Sequence, residues 1–86
     1  MGSNQMRSLI CSQVAERLRE ERLRQNLSLN VLAARAGLSR QMVSYVEQEL
    51  RKPTLDTLLR ITDVLGIRLE DVLRQARPIY LARKRK

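Results

Sequence analysis

Two sets of side chains in this 86-residue chain could do chemistry, and both are built from arginine, amide, hydroxyl and carboxylate groups. The first is Arg40, Gln41, Ser44, Tyr45 and Gln48, which share one side of a helical pattern whose other side carries Val43 and Val46. A guanidinium fork or a planar amide can make two hydrogen bonds to a guanine or adenine edge in the major groove. The same pattern is also that of a solvated face on an amphipathic helix, and periodicity alone does not separate the two. The second set is Arg22 and Glu47. Arg22 lies four residues beyond Leu18 and Glu47 four beyond Val43, so each extends an apolar stripe inward. Opposite charges aimed inward make sense if they meet, because an unpaired buried charge costs several kcal/mol. The alternative is that both snorkel to solvent. Either way the role is structural.

Other chemistries lack their parts. The chain has no His and a single cysteine, Cys11. That is too few ligands for a zinc site, and it removes Ser-His and Cys-His catalysis. Carboxylate or lysine chemistry is not formally excluded, but no enzyme, metal or cofactor is expected. One cysteine also gives no internal disulfide framework. No apolar run approaches the ~20 residues of a membrane span and no signal peptide is visible, so a cytoplasmic protein is expected.

Seventeen basic residues against nine acidic ones give a net charge of +8, which favours a polyanionic partner. Arg83, Lys84, Arg85 and Lys86 hold four of those charges; without them the remainder is still +4. A soluble domain with a basic tail is the plain alternative. Tyr45 and Tyr80 are the only aromatics, with no Phe or Trp. Binders of single strands usually stack bases on aromatic platforms, so a duplex is the better-matched nucleic acid.

The elements that must position these groups are all helical. Residues 1–10 have no sustained periodicity and read as a flexible lead-in to a domain at 11–77, followed by a basic tail at 78–86. Cys11, Val14, Ala15 and Leu18 mark one face of a first helix at about 8–25, with Asn26 as a left-handed stop. Ser28 caps a second helix with the stripe Leu29, Leu32, Ala33, Ala36, and Gly37 ends it. Only Leu38 and Ser39 precede a third helix at 40–48, with Val43, Val46, Glu47 and Leu50 inward. Such a short Gly-containing turn forces these two helices to a sharp angle. After Arg51-Lys52-Pro53, Thr54 caps a fourth helix with Leu55, Leu58, Leu59, Thr62 and Leu65 inward and Ile61 beside them, closed by Gly66. A short fifth helix carries Val72 and Leu73 and is expected to stop near residue 77, because Pro78 lacks a backbone donor.

Residues 14–73 resemble the phage repressor and Cro type of helix-turn-helix domain, the xenobiotic response element family. The resemblance is carried by Leu18 with Arg22, Ser28-x-x-x-Leu32-Ala33, Ala36-Gly37-Leu38-Ser39, Val43-x-x-Val46-Glu47, Pro53-Thr54-Leu55-x-Thr57-Leu58 and Leu65-Gly66-Ile67. It implies an all-α, five-helix, lambda-repressor-like bundle in which helices 2 and 3 form the motif. It also implies an Arg22–Glu47 ion pair. Base contacts from Ser39, Arg40, Gln41, Ser44 and Tyr45 would follow, the third helix entering the major groove of double-stranded DNA. Phosphate contacts are expected from the helix starts at Ser28 and Thr54 and from Arg35, Gln48, Arg51 and Lys52, since helix N-termini and basic side chains suit phosphate. Three positions depart from the family. Leu29 stands where a phosphate-touching Gln is usual, and Glu49 and Asn26 stand where Gly is usual.

The expected function is a sequence-specific transcriptional regulator, a repressor acting as a homodimer on half-sites about one helical turn apart. The competing reading is a protein-interaction module, such as an antitoxin bound to its toxin, or an antirepressor. In the tail, Ile79-Tyr80-Leu81 has the branched and aromatic content of a short strand that could pair with its symmetry mate in a dimer. A disordered basic tail is the alternative.

Overall fold

The computed structural model describes the backbone of residues 3–84 and the side chains of residues 5–76. Five helices follow one another: α1 (Ser3–Arg24), α2 (Leu29–Ala36), α3 (Arg40–Glu47), α4 (Leu55–Leu65) and α5 (Leu69–Lys84). There is no strand among the described residues.

The boundaries of α2, α3 and α4 follow from local hydrogen bonding. The hydroxyls of Ser28, Ser39 and Thr54 accept from the backbone N–H of Val31, Met42 and Thr57 at 3.1, 3.0 and 3.1 Å. Each cap satisfies one orphan donor and stabilises its helix by about 1 kcal/mol. α2 ends at Gly37, whose φ of 71° is left-handed, and the Leu38 N–H then reaches the Ala33 carbonyl at 2.9 Å. A Cβ at Gly37 would lie 3.0 Å from Nη1 of Arg60, which donates to the Ala36 carbonyl at 3.3 Å. Glycine is favoured at this position by its conformation, and a side chain there would also press on the Arg60 guanidinium.

Leu18 of α1, Leu32 of α2, Val43 of α3 and Ile61 of α4 are completely buried together, and Val72 and Ala76 of α5 close the core. Burying each of the larger side chains stabilises the fold by roughly 1.5–3 kcal/mol. Thr62 is buried with them because its hydroxyl donates back to the Leu58 carbonyl at 3.0 Å.

Several expected features differ. Residues 3–10 are helical rather than a flexible lead-in. Met6 is half-buried and Ile10 packs on the core, so a stripe through Met6, Ile10 and Val14 extends the helix backward, and Cys11 turns out to solvent. Leu50, Leu55 and Leu59 are exposed, at 65%, 65% and 44%. Leu50 falls beyond the end of α3. On α4 the buried row is Leu58, Ile61, Thr62 and Leu65, which leaves Leu59 on the next face and Leu55 one turn outside the core. Leu73 is also outside, at 40%.

The largest correction concerns the tail. α5 does not stop at 77 but runs through Pro78 to Lys84, so neither the strand at 79–81 nor a disordered tail over 78–84 is present. Proline removes one hydrogen bond from a helix, whereas a lone strand on a helical bundle would leave every donor and acceptor unpaired. Residues 85 and 86 of the expected basic tail lie outside the described residues.

Candidate nucleic-acid interface

The side of α3 away from the core carries a row of polar side chains, four of them paired one turn apart. Its backbone is anchored first. Arg22 of α1 forks onto Glu47: Nε donates to Oε2 at 2.7 Å and Nη2 to Oε1 at 2.9 Å. Its Nη1 donates to the Leu27 carbonyl at 2.8 Å, in the turn that leads to α2. The two side chains are only 10% and 5% exposed, and no buried side-chain nitrogen or oxygen among the described residues lacks a partner. A bidentate pair with its remaining donor satisfied can offset its own desolvation. What it supplies is geometry, since one guanidinium fixes α1, the α1–α2 turn and the end of α3.

On the outer face, Gln41 Nε2 donates to the Tyr45 hydroxyl one turn later. Gln48 Nε2 donates to the Ser44 hydroxyl at 2.8 Å. The Arg51 guanidinium lies 5.6 Å from the centre of the Tyr45 ring, within cation–π range. Because Ser44 and Tyr45 accept these bonds, their own O–H protons are left to donate outward. Arg40 and Gln41 are exposed at the start of the helix, next to the Ser39 cap. Five of the expected residues, Gln41, Ser44, Tyr45, Gln48 and Arg51, thus form two short bonded chains along one face.

The remaining phosphate candidates are arranged differently. Ser28 and Thr54 are the N-caps of α2 and α4, and Arg35 is exposed in the last turn of α2. None of the three is hydrogen-bonded to the α3 row among the described residues. Lys52 is exposed in the loop after Arg51. The Thr54 hydroxyl donates to Thr57 Oγ1 at 3.1 Å, so its proton is occupied, whereas the Ser28 hydroxyl keeps a proton for a ligand.

The departures at Glu49 and Asn26 have a backbone explanation. Both adopt positive φ, 62° and 58°, the region where glycine is unstrained. The acidic side chain of Glu49 does not extend freely beside the basic loop, because its Oε1 accepts the Ser12 hydroxyl of α1 at 2.6 Å. Leu29 is half-buried and packs against the core, so it supplies an apolar contact and no amide.

One cluster escaped the sequence reading. Glu21, 3% exposed, accepts from Arg17 at 2.9 Å, from Arg24 and from Gln25 at 2.8 Å. Gln25 also donates to the Leu65 carbonyl at 2.7 Å, at the end of α4. Hydrogen bonds from Arg24, Gln25 and Arg17 hold the Glu21 carboxyl down at about 2 against the opposing effect of burial. Arg24 turns to Glu21 at i−3, and among the described residues no ion pair joins it to Glu20 at i−4. Arg17 and Gln25 at i−4 and i+4 from Glu21 were the available signal.

Capped second and third helices, a three-residue glycine turn between them, and a buried guanidinium–carboxylate brace define a helix-turn-helix domain. Residues 18–72 match the helix-turn-helix family, and the chain belongs to it. It is 36% identical over 62 residues to a candidate HTH-type transcriptional regulatory protein of Methanosarcina acetivorans, covering 72% of this chain and 17% of that one. Similarly named proteins of Methanosarcina barkeri and Methanosarcina mazei are each 35% identical over 52 residues, which is 60% of this chain and 16% of theirs. The chain spans about one sixth of the length of these relatives. No solved structure gives a significant match. No described helix is long and apolar enough to cross a membrane.

Proposed function

We propose that this chain is a sequence-specific, double-stranded DNA-binding transcriptional regulator, a repressor that inserts α3 into the major groove and acts as a homodimer. The observation that carries this reading is the exposed α3 row, held rigid by Gln41–Tyr45 and Gln48–Ser44 on a helix braced by Arg22–Glu47. Base readers are Ser39, Arg40, Gln41, Ser44 and Tyr45. Phosphate contacts come from Ser28, Arg35, Gln48, Arg51, Lys52 and Thr54. Donors fixed before binding lose less entropy on the duplex, which favours discrimination over mere adhesion. The naming of the Methanosarcina relatives as transcriptional regulators supports the same reading.

Selection of bound sites from a random duplex library, followed by anisotropy titrations on the selected and scrambled duplexes, tests it. Arg40→Ala or Gln41→Ala reduces discrimination at one base pair per half-site by about 1–3 kcal/mol. Lys52→Ala weakens both duplexes alike and lowers the salt slope by about one; Arg51→Ala lowers the slope equally and, by releasing the Tyr45 ring, also reduces discrimination. Equal losses on both duplexes from the α3 changes refute direct readout by this helix.

A protein-interaction role, as in an antitoxin or antirepressor, is favoured by one observation: Leu50, Leu55 and Leu59 are exposed around the α3–α4 loop and the start of α4. Large apolar side chains gathered at a surface mark contact with another chain. A second copy of the regulator satisfies the same observation.

A further inference from the structure

A groove of about 340 Å³ opens beside the α3–α4 loop, lined by none of the α3 residues proposed to read bases. Its floor is Val14 and Val46, both buried, and its sides are Ile10, Leu58 and Leu73. The charged groups on its lining are Arg51, Lys52 and Glu49, and the Glu49 carboxylate already accepts the Ser12 hydroxyl. Two cationic residues, Lys52 and an Arg51 whose guanidinium lies over the Tyr45 ring, thus line a largely apolar hollow whose one anion is partly committed.

We propose that this groove is a binding site for a small amphipathic acid, with an apolar chain against Ile10, Val14, Leu58 and Leu73 and a carboxylate directed to Arg51 and Lys52. Charge complementarity selects the anionic end, and the aliphatic walls select the chain. The volume sits at the small end of the roughly 300–1,000 Å³ of small-molecule sites. At about 30 Å³ per water-sized atom it holds roughly a dozen heavy atoms. A partner protein fits less well, because of the exposed leucines only Leu73 lines the groove, and leucines 50, 55 and 59 do not.

Resting on the DNA-binding reading above, the site carries a regulatory consequence. Arg51 and Lys52 are the loop's phosphate contacts in that reading, and one carboxylate cannot share them with a phosphate without loss. Acid in the groove and duplex on α3 therefore oppose one another, and linkage requires that each weaken the other by the same factor.

The probe is sodium decanoate, below its micelle concentration, added to the full chain without DNA. Calorimetry and thermal melts are expected to show saturable 1:1 binding and a raised Tm with decanoate, and neither with acetate nor with decyltrimethylammonium. Leu73→Trp fills the groove and abolishes the response. Lys52→Glu, a surface change that spares the core, lowers decanoate affinity at least tenfold and admits the cationic analogue. No saturable binding, an equal response to the cation, or unchanged affinity in Lys52→Glu overturns the site. Duplex titrations with and without decanoate are then made separately. A duplex affinity unmoved by saturating decanoate overturns the antagonism. A chain that binds decanoate but no duplex leaves the groove standing and refutes the DNA reading.

Discussion

Replacing either member of the Arg22–Glu47 pair tests the brace behind α3. In Glu47→Ala the guanidinium keeps the Leu27 carbonyl but loses two charge-assisted bonds of 2.7 and 2.9 Å, at a site where it is 10% exposed. In Arg22→Ala the carboxylate, 5% exposed, loses both, and the α1–α2 turn loses its donor. Each change strands a buried charge, and the expected cost is about 3–5 kcal/mol. A domain of this size holds only about 5–15 kcal/mol in total, so both variants are followed in stabilising osmolyte. Arg22→Met with Glu47→Leu strands nothing and replaces the pair with carbon; it costs less than the sum of Arg22→Met alone and Glu47→Leu alone, with a coupling of at least about 2 kcal/mol. Urea melts followed by helical circular dichroism measure all four corners of the cycle. Singles within about 0.5 kcal/mol of the parent, or additive losses, refute a buried and coupled pair. The apolar double variant is also informative on DNA: a folded protein that has lost base discrimination assigns the pair to positioning α3 rather than to stability.

Other perturbations read other parts of the structure. The Glu21 carboxyl, held down to about 2 by Arg24, Gln25 and Arg17, contributes stability that is complete above pH 4.5 and is lost as pH falls from there towards 2. The shift corresponds to about 3 kcal/mol at most, and to about 1–2 once solvent screening of Arg24, 71% exposed, is included. Glu21→Gln should therefore differ from the parent at pH 6 and converge with it near pH 2, and parallel pH profiles in urea melts refute this. Glu49→Gly and Glu49→Ala both remove the Ser12 bond, but only glycine relaxes a φ of 62°, so the glycine variant is more stable than the alanine variant by about 1 kcal/mol. Equal melting of the two contradicts the left-handed backbone. Leu55→Lys with Leu59→Lys, both at exposed sites, leaves the melt within about 0.5 kcal/mol of the parent. If that face pairs two copies, light scattering falls to the monomer mass; a dimer that persists places the contact elsewhere.

The parts of the molecule legible in the sequence are those whose determinants are local. Ser28, Ser39 and Thr54 cap the helices they precede, and Gly37 and Gly66 end α2 and α4 in the left-handed region, because a cap is decided within four residues. Arg22 and Glu47 were legible because each interrupts its own apolar stripe. Which of several leucines on α4 faces inward was not, since Leu55, Leu58 and Leu59 all suit an apolar stripe and only the position of α2 and α1 decides. The start of α1 and the end of α5 were also missed. The backward extension of α1 depends on Ile10 finding the core, and α5 passes Pro78 because a helix lacking one hydrogen bond still pairs more backbone than an isolated strand. The Glu21 cluster was hidden for a related reason. Its partners lie on the same helix, but what buries it is the far end of α4, reached through Gln25 and the Leu65 carbonyl.

The loop at 48–54 joins these levels. Its backbone folds back on α3, the Leu50 N–H reaching the Tyr45 carbonyl at 2.9 Å, and the Arg51 guanidinium returns to the face of the same tyrosine. Glu49 ties it to Ser12 on α1, and the Thr54 cap fixes its other end. Tyr45 is therefore held at three points, its carbonyl, its ring and its hydroxyl, by groups that belong to the loop or to the reading face. A force that moves Arg51 is felt at the Tyr45 ring, and through the hydroxyl at Gln41, which begins the row. Wherever a ligand draws on this loop, the side chains proposed to read bases respond with it, so base discrimination and not only overall affinity should change when Arg51 is engaged. Duplex titrations on matched and mismatched sites separate the two: a ligand that lowers affinity for both by the same factor acts on phosphate contact alone, and one that narrows their ratio acts through Tyr45.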